Sequence, residues 1–168
     1  MKMDSKADIP VFSLVGWSGS GKTSLIEHLI PCLQKEGLSV AVVKHDGHDD
    51  FVVDRENTDS ARISSAGAEI TAVVSSERGA VMINRPVAPE QLIKEIKGVN
   101  IILTEGFKEG KWPKILVYRR DGQKGPALDP DTCFIVVTDT WLDTKTVQFL
   151  PEQSEEIARY LVNSIPSA

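Results

Sequence analysis

Residues Gly16-Trp17-Ser18-Gly19-Ser20-Gly21-Lys22-Thr23 satisfy the pattern G-x-x-x-x-G-K-[ST]. A loop of this kind turns successive backbone N–H groups inward around phosphate oxygens, and its glycines keep Cβ atoms out of the way. The lysine at its end reaches the β- and γ-phosphates as a point charge, and the hydroxyl that follows can ligate Mg²⁺. The flanks agree with that reading. Pro10-Val11-Phe12-Ser13-Leu14-Val15 is short and apolar, as a buried parallel strand is. Leu25, Leu29 and Leu33 recur at helical spacing after the loop, and Ile26 and Ile30 widen the stripe. The order strand, glycine loop, helix predicts a site for a nucleoside triphosphate, held by Gly16, Ser18, Gly19, Ser20, Gly21, Lys22, Thr23 and Ser24.

The remaining chain alternates strands and helices. Gly37 is placed to end the first helix, which contains Pro31, a residue predicted to kink it or start a new turn. Strands are expected over 39–44, 70–75, 80–83, 99–104, 115–118 and 134–137. Helices are expected over 58–66, 89–97 and 152–163, the first capped by Thr58 or Asp59 and ended by Gly67. Glu77-Arg78-Gly79 reads as the turn of a hairpin. The pattern predicts an α/β fold of the P-loop NTPase-like, three-layer kind. Its sheet should be mainly parallel, and mixed where the hairpin joins it. Ligands of such sheets bind beyond the carboxyl ends of the strands, so the loops after Val15, Lys44 and Thr104 should meet.

With 168 residues, the chain suits one domain over 1–168, with residues 1–9 as a frayed lead-in. A hydrophobic share of 41% and a net charge of −5 suit a soluble, cytoplasmic protein and speak against a broad nucleic-acid-binding surface. No apolar run approaches the roughly 20 residues of a membrane span. Cys32 and Cys133 form no C-x-x-C pair and are read as reduced thiols rather than zinc ligands.

Three clusters stand at the expected strand ends. Lys44 is either a cation at the mouth of the site or a simple strand-end lysine. Behind it come His45, Asp46, His48, Asp49, Asp50 and Asp54; Asp54 is a candidate for holding a Mg²⁺ water, and the two histidines suggest a transition-metal site as an alternative. Asp59 is either a helix-capping residue or a carboxylate facing the γ-phosphate. Glu105 ends a buried strand where P-loop proteins carry a second acidic residue beside Mg²⁺. Glu105 and Asp59 are thus the candidate catalytic residues, and Thr23, Asp54 and Glu105 the candidate metal set. Thr138-Asp139 is an acidic end of a late strand, and the Asn-Lys-x-Asp base reader is absent.

Together, Gly16 to Thr23, Val43-Lys44-His45 with His48, Asp59-Ser60 with Ala66-Gly67-Ala68, and Leu103-Thr104-Glu105-Gly106-Phe107-Lys108 resemble the MobB family, the molybdopterin–guanine dinucleotide biosynthesis adapters. The resemblance extends from about Val11 to Asp139. Where that family usually carries a second histidine in its Lys-His loop, this chain reads His45-Asp46-Gly47-His48. The resemblance implies GTP binding with weak, Mg²⁺-dependent hydrolysis and a homodimer; for the guanine it implies, Asp139 is the candidate reader, since a carboxylate can accept both N1–H and N2–H. Its implied partners are the molybdenum cofactor guanylyltransferase and the molybdopterin cofactor. A pure binding adapter, a P-loop kinase of a small metabolite and a metallochaperone GTPase are the competing readings. Arg119 and Arg120 lie on a strand end rather than in a glycine-flanked lid, which counts against the kinase.

Overall fold

The computed structural model describes residues 9–47, 51, 53–55, 57–121 and 124–165. Two compact units result, one built from the segments up to His45 and from Gly98 onward, the other from Asp46–Lys97. Expectations for residues 1–8 and for His48, Asp49 and Asp50 lie outside the described residues.

The first unit carries a six-stranded sheet: β1 (Val11–Val15), β2 (Val40–Lys44), β3 (Ile101–Glu105), β4 (Lys114–Tyr118), β5 (Ile135–Thr138) and β6 (Gln148–Phe149). Their order is β2-β3-β1-β4-β5-β6, and every pairing is parallel. Because side chains alternate across a strand, one face presents Phe12, Leu14, Ile101, Leu103, Ile115, Val117, Ile135 and Val137. That face is covered by α1 (Lys22–Lys35), through Leu25, Ile26, Leu29 and Leu33, and by α2 (Ser154–Ser164), through Ile157, Ala158 and Leu161. On the other face Val15, Leu116, Cys133 and Val136 form a smaller cluster under Ala127, Leu128 and Leu142.

Helix α1 ends as its sequence predicts. Gly37 adopts φ 84°, and Leu38 N–H donates to Leu33 O at 3.0 Å, the capping bond that a left-handed residue after a helix permits. Pro31 does not interrupt the helix, which runs through it. Its missing N–H leaves the Glu27 carbonyl to solvent, and both residues are exposed, so water can take the lost bond.

The second unit holds α3 (Asp59–Ser65), the hairpin β7 (Ile70–Val74) and β8 (Gly79–Ile83), and α4 (Pro89–Glu95). Thr58 caps α3, its Oγ1 accepting from Ala61 N–H at 3.2 Å. The hairpin was expected to make the main sheet mixed. It instead forms a separate two-stranded antiparallel sheet, because among the described residues β7 and β8 pair only with each other.

Candidate functional site

Strand order brings the site together. β1 lies between β3 and β4, so the loop leaving Val15 emerges between the ends of its two neighbours. Gly106 N–H donates to Leu14 O and His45 N–H to Glu105 O, both at 2.9 Å, which stitches the three strand ends side by side. The loops after Val15, Lys44 and Glu105 therefore meet.

The phosphate loop needs its first glycine for contact with β4. A Cβ on Gly16 would lie 2.3 Å from Val117 O and 2.6 Å from Ser20 Oγ, distances that atoms do not tolerate. Gly19 and Gly21 take φ 78° and 94°, the left-handed backbone that turns amides inward. Lys22 Nζ donates to Gly16 O at 3.1 Å and to Trp17 O at 2.9 Å, curling over the loop it serves. Ser20 Oγ is buried without a hydrogen-bond partner. Such an orphan polar atom within the loop fits a ligand that offers hydrogen-bonding groups.

Thr23, on the first turn of α1, donates from Oγ1 to the Glu105 carboxylate, at 2.9 Å to Oε1 and 3.1 Å to Oε2. Alternation puts Glu105 on the same face as Ile101 and Leu103, the face α1 covers. The hydroxyl and carboxylate converge as hard oxygen donors of the type Mg²⁺ prefers. Lys44 is the register partner of Glu105 on the edge strand β2 and is exposed.

After Glu105 the backbone is left-handed twice, at Gly106 (φ 94°) and Phe107 (φ 53°). A Cβ on Gly106 would stand 3.0 Å from His45 Cβ, so glycine lets the two loops touch. The Phe107 ring sits edge-on between His45, at 5.1 Å, and Trp112, at 5.8 Å. Lys114 Nζ ties the loop down, donating to Phe107 O and Gly110 O at 3.1 and 2.6 Å. Burial pushes the Lys114 ammonium below its ordinary pKa. The Glu-Gly-Phe-Lys segment is thus held from three sides.

Trp17 is exposed and reaches beyond its own loop. Its indole N–H donates to Gly125 O at 2.8 Å, and Lys124 Nζ and Lys108 Nζ approach its ring to 4.8 and 5.6 Å. Sequence reasoning gave no place to Arg119 except as a kinase lid. Its guanidinium packs against Gly21, with Nε and Nη2 at 3.3 Å from the point a Cβ would occupy. The signal available was topological: a basic residue directly after the strand beside β1. Asp139 follows β5 and its Oδ1 accepts from Arg120 N–H at 3.0 Å.

Asp54 and Asp59 belong to the second unit. Asp54 Oδ1 accepts from Arg55 N–H at 2.8 Å and Thr58 Oγ1–H at 3.0 Å. Hydrogen bonding, from the Ser60 hydroxyl foremost, holds its carboxyl below the ordinary value. Asp59 opens α3 and lies 3.5 Å from Arg62, both side chains in solvent. Among the described residues no group of three or more His, Cys, Asp or Glu side chains could hold a metal. No helix among them is long and apolar enough to cross a membrane.

Residues 11–139 match the family model described as molybdopterin guanine dinucleotide synthesis protein B. The chain is 38% identical over 120 residues to the molybdopterin-guanine dinucleotide biosynthesis adapter protein of Haemophilus influenzae, covering 69% of this chain and 67% of that one. It is 36% identical over 123 residues to the adapter protein of the same name in Escherichia coli, covering 70% of each. In fold it is similar to the crystal structure of Bacillus subtilis MobB, with a TM-score of 0.75, 23% identity, and 95% of this chain and 99% of that one covered. The glycine loop, the Thr23–Glu105 pair and these likenesses agree: the chain belongs to the MobB family of molybdopterin guanine dinucleotide synthesis proteins.

Proposed function

We propose that this protein is a GTP-binding adapter of molybdenum cofactor biosynthesis, assisting the guanylyltransferase that joins GMP to molybdopterin. The observation that carries the reading is the Thr23–Glu105 contact beside the Gly16–Thr23 loop, a metal-ready pair of oxygens where β- and γ-phosphates would end. The amides from Gly16 to Ser24 would hold the phosphates, with Lys22 exchanging its two carbonyl partners for phosphate oxygens. Thr23 and Glu105 would hold Mg²⁺ directly or through its waters, and Mg²⁺ would neutralise charge on the terminal phosphates. Lys44 adds a cation on the flank of Glu105, and Asp139 is the carboxylate we assign to guanine N1–H and N2–H. The hydrolysis we infer is slow, because the chain offers no glutamine in the water-orienting role of fast GTPases.

A homodimer is part of this reading. Val73, Val74 and Val81 on the hairpin are 46%, 85% and 68% exposed, and an uncovered aliphatic hairpin invites a partner. The function is tested by calorimetric titration of GTP and ATP, each with and without Mg²⁺. A clear preference for GTP with Mg²⁺ is expected. Equal binding of both nucleotides, or none, would overturn the guanine assignment. Addition of the protein to a guanylyltransferase assay should raise the yield of molybdopterin guanine dinucleotide.

A further inference from the structure

Arg119 carries a guanidinium that the reading above does not use. It lies against the backbone that opens α1, 3.3 Å from the Cβ position of Gly21. The first turn of a helix presents unbonded N–H groups and the positive end of the helix dipole. Lys22 adds a second positive charge within the same loop. Ion pairs among the described residues are Lys35–Glu155 and Arg62–Asp59, so Arg119 has no acidic partner there. Three sources of positive potential converge beside the exposed Arg119, and an anion seated among them would be attracted by all three.

Two hollows flank the loop, and Arg119 lines both. The larger, about 390 Å³, begins at Ser20 and Gly21, passes Ser24 and His28 on α1, and ends at Pro151 and Glu152 before α2. That volume falls within the roughly 300–1,000 Å³ of small-ligand sites. The strand order adds a direction. Glu105 and its contact to Thr23 lie on the β3 side of β1, whereas Arg119 follows β4 on the opposite side. The metal-bearing end of a triphosphate therefore belongs to one flank and Arg119 to the other.

We propose that Arg119 is a phosphate-binding residue supplied in cis. It grips the nucleotide at its α-phosphate, where the ligand leaves the glycine loop and its nucleoside enters the larger hollow, which Val137 lines on the strand that Asp139 follows. This rests on the nucleotide-binding reading and adds to it a residue, a polarity and a nucleoside subsite.

The test is the affinity of Arg119→Ala, Arg119→Lys and Arg120→Ala for GTP and for GDP by titration calorimetry, with circular dichroism and melting temperature as fold controls. Both nucleotides own an α-phosphate. Arg119→Ala should therefore weaken GTP and GDP by the same factor, about tenfold, as loss of a charge-assisted hydrogen bond implies. Arg119→Lys should recover part of it, and Arg120→Ala should bind as the unaltered protein does. A folded Arg119→Ala protein with unchanged affinities overturns the assignment. So does weakening confined to GTP, because it would move Arg119 to the γ-phosphate. Failure of the unaltered protein to bind either nucleotide would sink the functional reading itself, and Arg119 with it. Normal binding with an indifferent Arg119 would sink only the present inference.

Discussion

Thr23 Oγ1 spans the two oxygens of the Glu105 carboxylate, at 2.9 and 3.1 Å, so one hydroxyl proton is shared across the whole acid. Binding Mg²⁺ would redirect the hydroxyl, turning its lone pairs to the metal while Glu105 keeps the charge. Glu105→Gln keeps the shape and removes the charge. It should leave metal-free GTP affinity within about twofold while abolishing most of the gain from Mg²⁺, as the loss of a charged ligand of a hard cation requires. Titration over a series of Mg²⁺ concentrations checks this; an unaltered Mg²⁺ dependence would remove Glu105 from the metal set.

Lys22→Ala should cost at least about a hundredfold in triphosphate affinity, the order expected when a charge-assisted contact of roughly 3 kcal/mol is lost. The fold should survive, because Lys22 bonds only to its own loop, at Gly16 O and Trp17 O. Near-normal GTP binding by a folded variant would contradict the site.

Val73→Lys or Val81→Lys should weaken self-association while leaving GTP affinity unchanged. Each introduces a charge on the exposed hairpin, in a unit that contains none of the phosphate loop. Light scattering at micromolar concentration reads the outcome, and a monomeric unaltered protein would end the dimer proposal.

Asp54 supplies a pH signature for the second unit. Its folded carboxyl titrates below the ordinary value, chiefly through the Ser60 hydroxyl. A lowered folded pKa means stabilisation that is fully present above the unfolded value, about 3.9, and lost as pH falls through the folded one. Helix α3 should therefore hold at neutral pH and loosen only below about pH 4. In Asp54→Asn the loosening should no longer track that range. Amide exchange in residues 59–65 measures both.

The parallel sheet and the glycine loop were legible because each has a strong local signature: apolar runs of strand length, and a loop with one backbone solution. The two-residue strand β6 and the 3-10 turn Pro130–Thr132 were not, since neither is long enough to show a period. The hairpin could be read, but not its separation from the main sheet, because pairing partners leave no trace in a single strand's pattern. Pro31 predicts a kink or a new turn; its solvent position, which makes the lost bond cheap, depends on which face α1 buries. Glu105 was legible as a strand-end acid. Arg119 was not, since its meaning comes from β4 lying next to β1, a relation between residues about a hundred positions apart in sequence.

Beneath the site, Ser13 Oγ and Thr104 Oγ1 share a hydrogen bond of 2.7 Å in a fully buried position, and the two residues are register partners across β1 and β3. Two hydroxyls among aliphatics act as a key in a keyway. Slide β3 by one residue and each hydroxyl loses its mate, at a cost of about 1–3 kcal/mol for every buried polar group left unpaired. The same slip would swing Glu105 to the far side of the sheet, out of reach of α1 and Thr23. The Thr23–Glu105 contact proposed to hold a metal is therefore indexed one residue earlier, by an uncharged pair on the opposite face of the sheet.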